Sequence, residues 1–285
     1  MDETAALFAC LKEGKFTTSR KSAERLLEQA RDIYGFDLLS FKPRLLIRRL
    51  RARMEARDCL RLADYVKILE EDADEWPKLV RALAIQYSGF FRNPGTFRRL
   101  YELCLPELWG AGPEKTTSVL SAGCSHGEEL YSLAIMFDWA GQKHKSLSRF
   151  CFRGIDFDNG ALQAARQGIY RESAVADIPA DIRERYFVRD GDKYGVIPAI
   201  KEQAEFSAQD LFGEFLFPDT SLIMCRNVLI YYRREQQRTI TENLLKSLSP
   251  GGWLVLGKTE SLPAEYRKYF AALDSDERIY RKLGE

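Results

Sequence analysis

Residues 121–129 read Ser-Ala-Gly-Cys-Ser-His-Gly-Glu-Glu, between a short apolar stretch and a helical one. Glycine at 123 and 127 lets the backbone turn tightly and lets a ligand approach closely. Two chemistries compete for such a loop. One is a cofactor loop, because open α/β sheets bind ligands outside the carboxyl ends of their strands. The other is a nucleophile elbow, because Gly123 to Gly127 fits G-x-S-x-G. The elbow needs an acid and then a histidine further along the chain. Outside the motif the only histidine is His144, read as lying in a polar loop, and none follows it, so a serine hydrolase is disfavoured. A turn with a structural role alone is the third reading.

A second acidic turn, Gly154-Ile155-Asp156-Phe157-Asp158, closes the next apolar stretch. An acid at the tip of a second strand accepts hydrogen bonds from ribose hydroxyls, and Asp156 holds that place. Asp158 reads better as the cap of the following helix. The first loop is not G-x-G-x-x-G, which weighs against a dinucleotide dehydrogenase. In Met224-Cys-Arg-Asn-Val-Leu-Ile-Tyr-Tyr232, Arg226 and Asn227 interrupt an apolar run and are costly to bury without partners. Tyr231 is as easily core as site. In Tyr87-Ser-Gly-Phe-Phe-Arg-Asn-Pro94, the residues alone suggest a Phe-Phe plug in the core with a surface arginine.

The elements that must position these residues fall into two stretches. From about 19 to 108 the pattern is helical, with a Ser19 cap and an apolar arc of Leu46, Ile47, Leu50 and Met54. From about 112 strand and helix patterns alternate, which argues for a mostly parallel sheet wrapped by helices. Residues 186–207 break that rhythm with short β-segments and Gly/Asp turns, read as a small inserted β-subdomain. The expected division is a helical domain over 1–93 and an α/β domain over 94–285.

Composition narrows the partners. Forty-three Lys+Arg against 42 Asp+Glu leave a net charge of +1, so no global attraction to nucleic acid or membrane is encoded. No apolar run approaches the ~20 residues of a membrane span. The N-terminus lacks the order of a secretory signal. Six scattered cysteines and two histidines make a metal site improbable and suit reduced thiols in the cytoplasm. One local exception is residues 41–57. Lys42, Arg44, Arg48, Arg49, Arg51, Arg53 and Arg57 stand there against Glu55, with Arg44, Arg48 and Arg51 on one helical face.

FFR at 90–92, SAGCSxGEExYSLA at 121–134, DxD at 156–158, GIYR at 168–171 and CRNVLIYY at 225–232 occur in that order. The set resembles the CheR family of chemotaxis receptor glutamate methyltransferases over nearly the whole chain. The resemblance implies a class I S-adenosylmethionine-dependent methyltransferase domain, Rossmann-like, behind a small helical N-terminal domain and carrying a β-subdomain. It implies methylation of glutamate carboxylates on chemoreceptors, with S-adenosylhomocysteine as the second product. Gln86, Ser88, Arg92, Gly123, Glu128, Asp156, Asp210, Leu211, Asn227 and Val228 would bind the cofactor, Glu128 at its methionine end and Asp156 at the ribose. Arg92, Tyr231 and Arg226 would form the catalytic set. The partner would be a receptor's cytoplasmic methylation region, met by the basic helix of 41–57. The protein would act as a cytoplasmic monomer, without nucleic acid, metal or membrane insertion. His126 stands where the family commonly has Thr, Leu130 where it has Pro, Ser88 where it has Thr, and Asp210 and Gln86 where it has Asn.

Overall fold

A computed structural model describes residues 3–33, 37–83, 88–109, 116–144, 148–213 and 217–284. The chain forms two compact units, residues 1–86 with 231–236, and residues 87–230 with 237–285. The division falls before the Phe-Phe-Arg segment rather than at 93/94. The reason is that Phe90 is buried in the second unit, edge-on to Tyr170 and Phe187 at 4.8 and 5.0 Å between ring centres.

In the first unit, α-helices cover Glu3–Glu13, Arg20–Glu28, Pro43–Glu55, Leu62–Glu71 and Glu75–Leu83. Ser19 caps the second, its hydroxyl accepting from Ser22 N at 3.1 Å. Pro43 begins the third, where a missing N–H costs nothing. That helix buries Leu45, Leu46, Leu50 and Met54, so the expected apolar arc faces the core, with Ile47 half-buried at its margin. Residues 231–236 belong to this unit by pairing. Lys42 N donates to Tyr231 O at 2.9 Å, Arg233 Nε to Phe41 O at 3.0 Å, and the Phe41 and Tyr232 rings lie 5.0 Å apart.

The second unit contains strands β1 Thr116–Ala122, β2 Arg149–Asp156, β3 Ile169–Arg171, β4 Phe187–Asp190 and β5 Lys193–Val196. They are followed by β6 Ala204–Ala208, β7 Thr220–Cys225, β8 Leu248–Leu256, β9 Phe270–Asp274 and β10 Ile279–Lys282. Seven of them make one sheet in the order β6-β2-β1-β7-β8-β10-β9. The pairs from β6 through β8 are parallel, and β10 is antiparallel to both neighbours. β1 sits centrally and is buried along most of its length, as expected of a strand covered on both faces. Helix Glu128–His144 runs from the loop after β1, so His144 ends a helix rather than lying in a loop.

The small sheet differs from the expected 186–207 insertion. It comprises β3, β5 and β4, all antiparallel, and so begins at Ile169 and ends at Val196. Residues 204–208 instead pair in parallel with Phe152–Asp156 and form an edge of the main sheet. A strand's own alternation does not name its partner; burial of Phe206 decides it here. Pro198 begins the short helix Pro198–Lys201. Among the described residues no helix is long and apolar enough to cross a membrane, all six cysteines are free, and no cluster could hold a metal ion.

Candidate functional site

The loop after β1 is folded back on the end of β2. Gly123, Ser125 and Gly127 have φ of 81°, 51° and 91°. Gly123 N and Cys124 N both donate to Ile155 O, at 2.8 and 2.9 Å. A Cβ on Gly123 would lie 2.5 Å from Val228 Cγ2, so a side chain there would fill the space between the loop and the end of β7. Asp156, at the tip of β2 and 9% exposed, accepts from Ser125 N through Oδ2 at 2.8 Å and from Asp158 N through Oδ1 at 3.0 Å. Burial pushes its carboxyl up, against the pull of those amides. Each oxygen keeps further acceptor capacity. Asp158 caps the helix Asn159–Gln167 through Gly160 N and Ala161 N. Ser125 Oγ contacts His126 Nδ1 at 3.0 Å, and the Tyr170 hydroxyl donates to His126 O at 2.7 Å.

Glu128 opens the helix after this loop. It is buried, and its Oε2 has no hydrogen-bond partner. A buried acceptor without a partner costs about 1–3 kcal/mol, more when charged. A ligand ammonium would satisfy it. This atom, the glycine cradle and the buried Asp156 together fit the amino-acid end and the ribose of S-adenosylmethionine.

The neighbouring Glu129 points elsewhere. Its Oε1 accepts from the Ser121 hydroxyl at 2.8 Å, and its Oε2 pairs with Arg226 Nη1 at 3.3 Å. Burial pushes its carboxyl up, while Arg226 and the Ser121 hydroxyl pull it down. Arg226 follows β7, its side chain only 1% exposed. Its Nη2 donates to Arg92 O at 2.8 Å and to Asn93 Oδ1 at 2.7 Å. Phe91 and Asn93 hold left-handed backbone, φ 50° and 60°, and Asn93 immediately precedes the helix Pro94–Leu103. Phe91 N donates to the Ser132 hydroxyl at 2.9 Å, and that hydroxyl donates to Glu128 O at 2.6 Å. The Phe-Phe-Arg segment is thus tied to the start of the cofactor helix and to the end of β7. Phe90 fills the core, as the sequence suggested, and Arg92 is half-buried.

The fold brings Arg92, Gly123, Glu128, Asp156, Arg226, Asn227 and Val228 to the carboxyl ends of β1, β2 and β7. Arg226 arrives there buried, its Nη1 and Nη2 bonded to Glu129, Arg92 O and Asn93 Oδ1, while its buried Nε has no hydrogen-bond partner. Ser88 is half-buried just before the Phe-Phe pair. Asp210 is exposed, with its carboxylate turned to its own loop at Phe212 N, 3.0 Å away. Leu211 is buried, its carbonyl accepting from Asn243 Nδ2 at 3.1 Å. Tyr231 ends the turn Leu229–Tyr231 and belongs to the helical unit. Gln86 lies outside the described residues.

Sequence reasoning passed over four groups. These are Glu129, Ser132, the Tyr170 hydroxyl and Glu260, whose carboxylate accepts from the backbone after β7. For Glu129 the signal was present, as an acid in an apolar helix opposite an arginine in an apolar strand. For Glu260 no spacing announced it.

The parallel sheet, with its glycine loop, a buried acid at the tip of β2 and a buried glutamate whose Oε2 has no hydrogen-bond partner, defines a cofactor-binding domain of the class I methyltransferase kind. Residues 86–279 match the family described as CheR methyltransferase, SAM binding domain, and residues 21–84 match CheR methyltransferase, all-alpha domain. The chain belongs to the CheR methyltransferase family, and its cofactor is S-adenosylmethionine. It is similar to a chemotaxis protein methyltransferase of Listeria monocytogenes, 30% identical over 81% of this chain and 87% of that one. It is also similar to an uncharacterized 104.1 kDa protein of Rhodobacter capsulatus, 31% identical over 87% of this chain; it spans only 26% of that protein's length. A probable biofilm formation methyltransferase of Pseudomonas putida is 30% identical over 83% of this chain and 56% of that one.

Proposed function

We propose that this protein methylates glutamate side-chain carboxylates on the cytoplasmic region of chemoreceptors, releasing glutamyl methyl ester and S-adenosylhomocysteine. The observation that carries the reading is the tie between Arg92 and the cofactor end of the sheet. The carbonyl of Arg92 is held at 2.8 Å by Arg226, which follows β7, while the cofactor loop follows the adjacent β1. The resemblance to proteins named chemotaxis protein methyltransferase supports the choice of substrate. The experiment is a methyl-ester release assay with a candidate receptor's methylation region. Absence of base-labile methyl groups on glutamate would remove the substrate assignment.

When bound, S-adenosylmethionine supplies a methyl group on an electrophilic sulfonium. A free glutamate side chain has a pKa of about 4.3, so the nucleophile is already the carboxylate near neutral pH and no general base is required. The protein's work is then orientation and exclusion of water, since attack neutralises a carboxylate and a sulfonium together. Glu128 and Asp156 hold the cofactor's amino-acid end and ribose. Arg92 positions the substrate carboxylate by charge-assisted hydrogen bonds. Tyr231 takes its role in methyl transfer from the family resemblance alone. Arg226 acts through Arg92 as a positioning residue.

Arg92→Ala is expected to lower turnover by about 10²-fold and Tyr231→Phe by about tenfold, the scale of losing alignment of a reacting group. Both variants should stay folded and still bind S-adenosylhomocysteine. Full ester-forming activity in both variants would show that the assigned geometry is wrong.

The receptor contact is assigned to the helix Pro43–Glu55, with a smaller charge than residues 41–57 suggest. Arg53 pairs with the buried Glu75 at 2.7 Å, and Arg57 with Asp72 and Glu75 at 2.5 and 2.9 Å. Arg51 bonds Gly14 O and lies over the Phe16 ring. Arg44 and Arg48 are exposed and have no ion-pair partner among the described residues. With the exposed Lys42 beside them, they present positive charge to an acidic receptor surface. Such binding weakens with salt, because the Debye length falls from ~10 Å at 0.1 M to ~3 Å at 1 M. Arg44→Glu with Arg48→Glu should weaken receptor association and flatten its salt dependence, leaving S-adenosylhomocysteine affinity intact. Association unmoved by salt and by the charge reversal would rule out this face.

A further inference from the structure

Glu260 lies in the turn after β8, 3% exposed. Its Oε2 accepts from Gly257 N at 2.6 Å and Asn227 N at 2.8 Å; its Oε1 accepts from Val228 N at 2.8 Å and Ile230 N at 3.2 Å. Four backbone amides therefore converge on one buried carboxylate. No cation pairs with it among the described residues, so the amide dipoles alone hold its charge.

Three of these amides belong to the turn that leaves β7. Asn227, in the middle of that turn, has φ 59°. A non-glycine residue in that region persists only where its surroundings fix it. Here the bonds to Asn227 N and Val228 N from a single carboxylate do so. The turn also cannot relax toward β8. A Cβ at Gly257 would stand 2.5 Å from Glu260 Oε2 and 2.8 Å from Asn227 N, so glycine is required for the two backbones to approach. On its other side the turn presents Val228 to the cofactor loop, where Val228 Cγ2 occupies the position a Gly123 side chain would need.

We infer that Glu260 is a positioning residue for the cofactor: its carboxylate sets the backbone of Asn227 and Val228, and through Val228 the width of the cleft facing Gly123. The inference rests on the cofactor site assigned above. Glutamine at this position keeps the shape but turns an NH2 group toward two N–H donors, which then lose their acceptor.

The test is Glu260→Gln, read by calorimetry with S-adenosylhomocysteine, steady-state kinetics and amide hydrogen exchange. Affinity should fall at least about tenfold, with KM for S-adenosylmethionine rising in step and kcat at saturation within about threefold of the parent. Exchange should quicken at Asn227, Val228, Ile230 and Gly257 and stay slow in β1 and β2. Should Glu260→Gln not fold, Glu260→Asp, which keeps the charge on a shorter reach, should show the same KM-against-kcat split to a smaller degree. Unchanged affinity in a folded variant overturns the inference, and so does protection lost evenly across the main sheet. Failure of the parent protein itself to bind S-adenosylhomocysteine would instead overturn the cofactor assignment.

Discussion

Asp156→Ala should weaken S-adenosylhomocysteine binding by about 10²-fold or more in calorimetric titration. Two ribose hydrogen bonds to a charged acceptor are worth about 1.5–3 kcal/mol each, and every 1.4 kcal/mol is roughly tenfold. The substitution also frees Ser125 N and Asp158 N, which the carboxylate now holds at 2.8 and 3.0 Å. The cofactor loop then loses its clip to the tip of β2, so part of the loss is of pre-organisation rather than of contact. Asp156→Asn separates the two. Its amide oxygen serves one of those N–H groups while its NH2 faces the other, so affinity should fall between the parent and the alanine variant. An unchanged dissociation constant in Asp156→Ala would take this residue out of the site.

Arg226→Met is expected to destabilise the fold by about 3–5 kcal/mol, the scale of removing one partner of a buried pair. It leaves Glu129 buried without its cation, and it releases Arg92 O and Asn93 Oδ1. Activity should be lost beyond what stability explains, because the Arg92 carbonyl and Asn93, which holds left-handed backbone, lose the contact that fixes them. The pH dependence carries a sign. Burial already raises the Glu129 carboxyl above its ordinary 4.5, and Arg226 opposes that. Without the arginine the folded-state value rises further, so the folded variant binds more protons than the unfolded chain above about pH 4.5. Stability relative to the parent must then fall as pH increases through that range. Denaturant titrations at acid and neutral pH would show it. A parent-like midpoint at both would mean the pair contributes nothing to stability.

Much of the site was legible from residue types. The end of an apolar stretch marks Asp156 as a strand tip, and the structure sets it at the tip of β2. Asp158 was distinguished from it as a cap, and its two bonds are those of a cap. Arg226 was marked because an arginine in an apolar run needs partners. The sequence could not say that these were a carbonyl and an amide oxygen 133–134 residues away, together with Glu129. Glu260 was not legible at all, since Lys-Thr-Glu-Ser reads as an ordinary polar turn and only the meeting of β7 and β8 gives the glutamate its amides.

The same division holds for the scaffold. Local spacing determined the helices of the first unit, the strand and helix alternation of the second, and the glycines where the chain must turn. These depend on side-chain period and backbone freedom, which neighbouring residues settle among themselves. Tertiary structure alone decided that residues 204–208 join β2 while 169–171 join the small sheet, and that residues 231–236 return to the helical unit. It also decided that two of the seven basic charges near 41–57 are spent on Glu75 and Asp72. Each of these is a choice of partner between groups far apart in the chain. Such choices follow from which buried surfaces and unpaired polar atoms must be matched at once, a condition that no single segment carries.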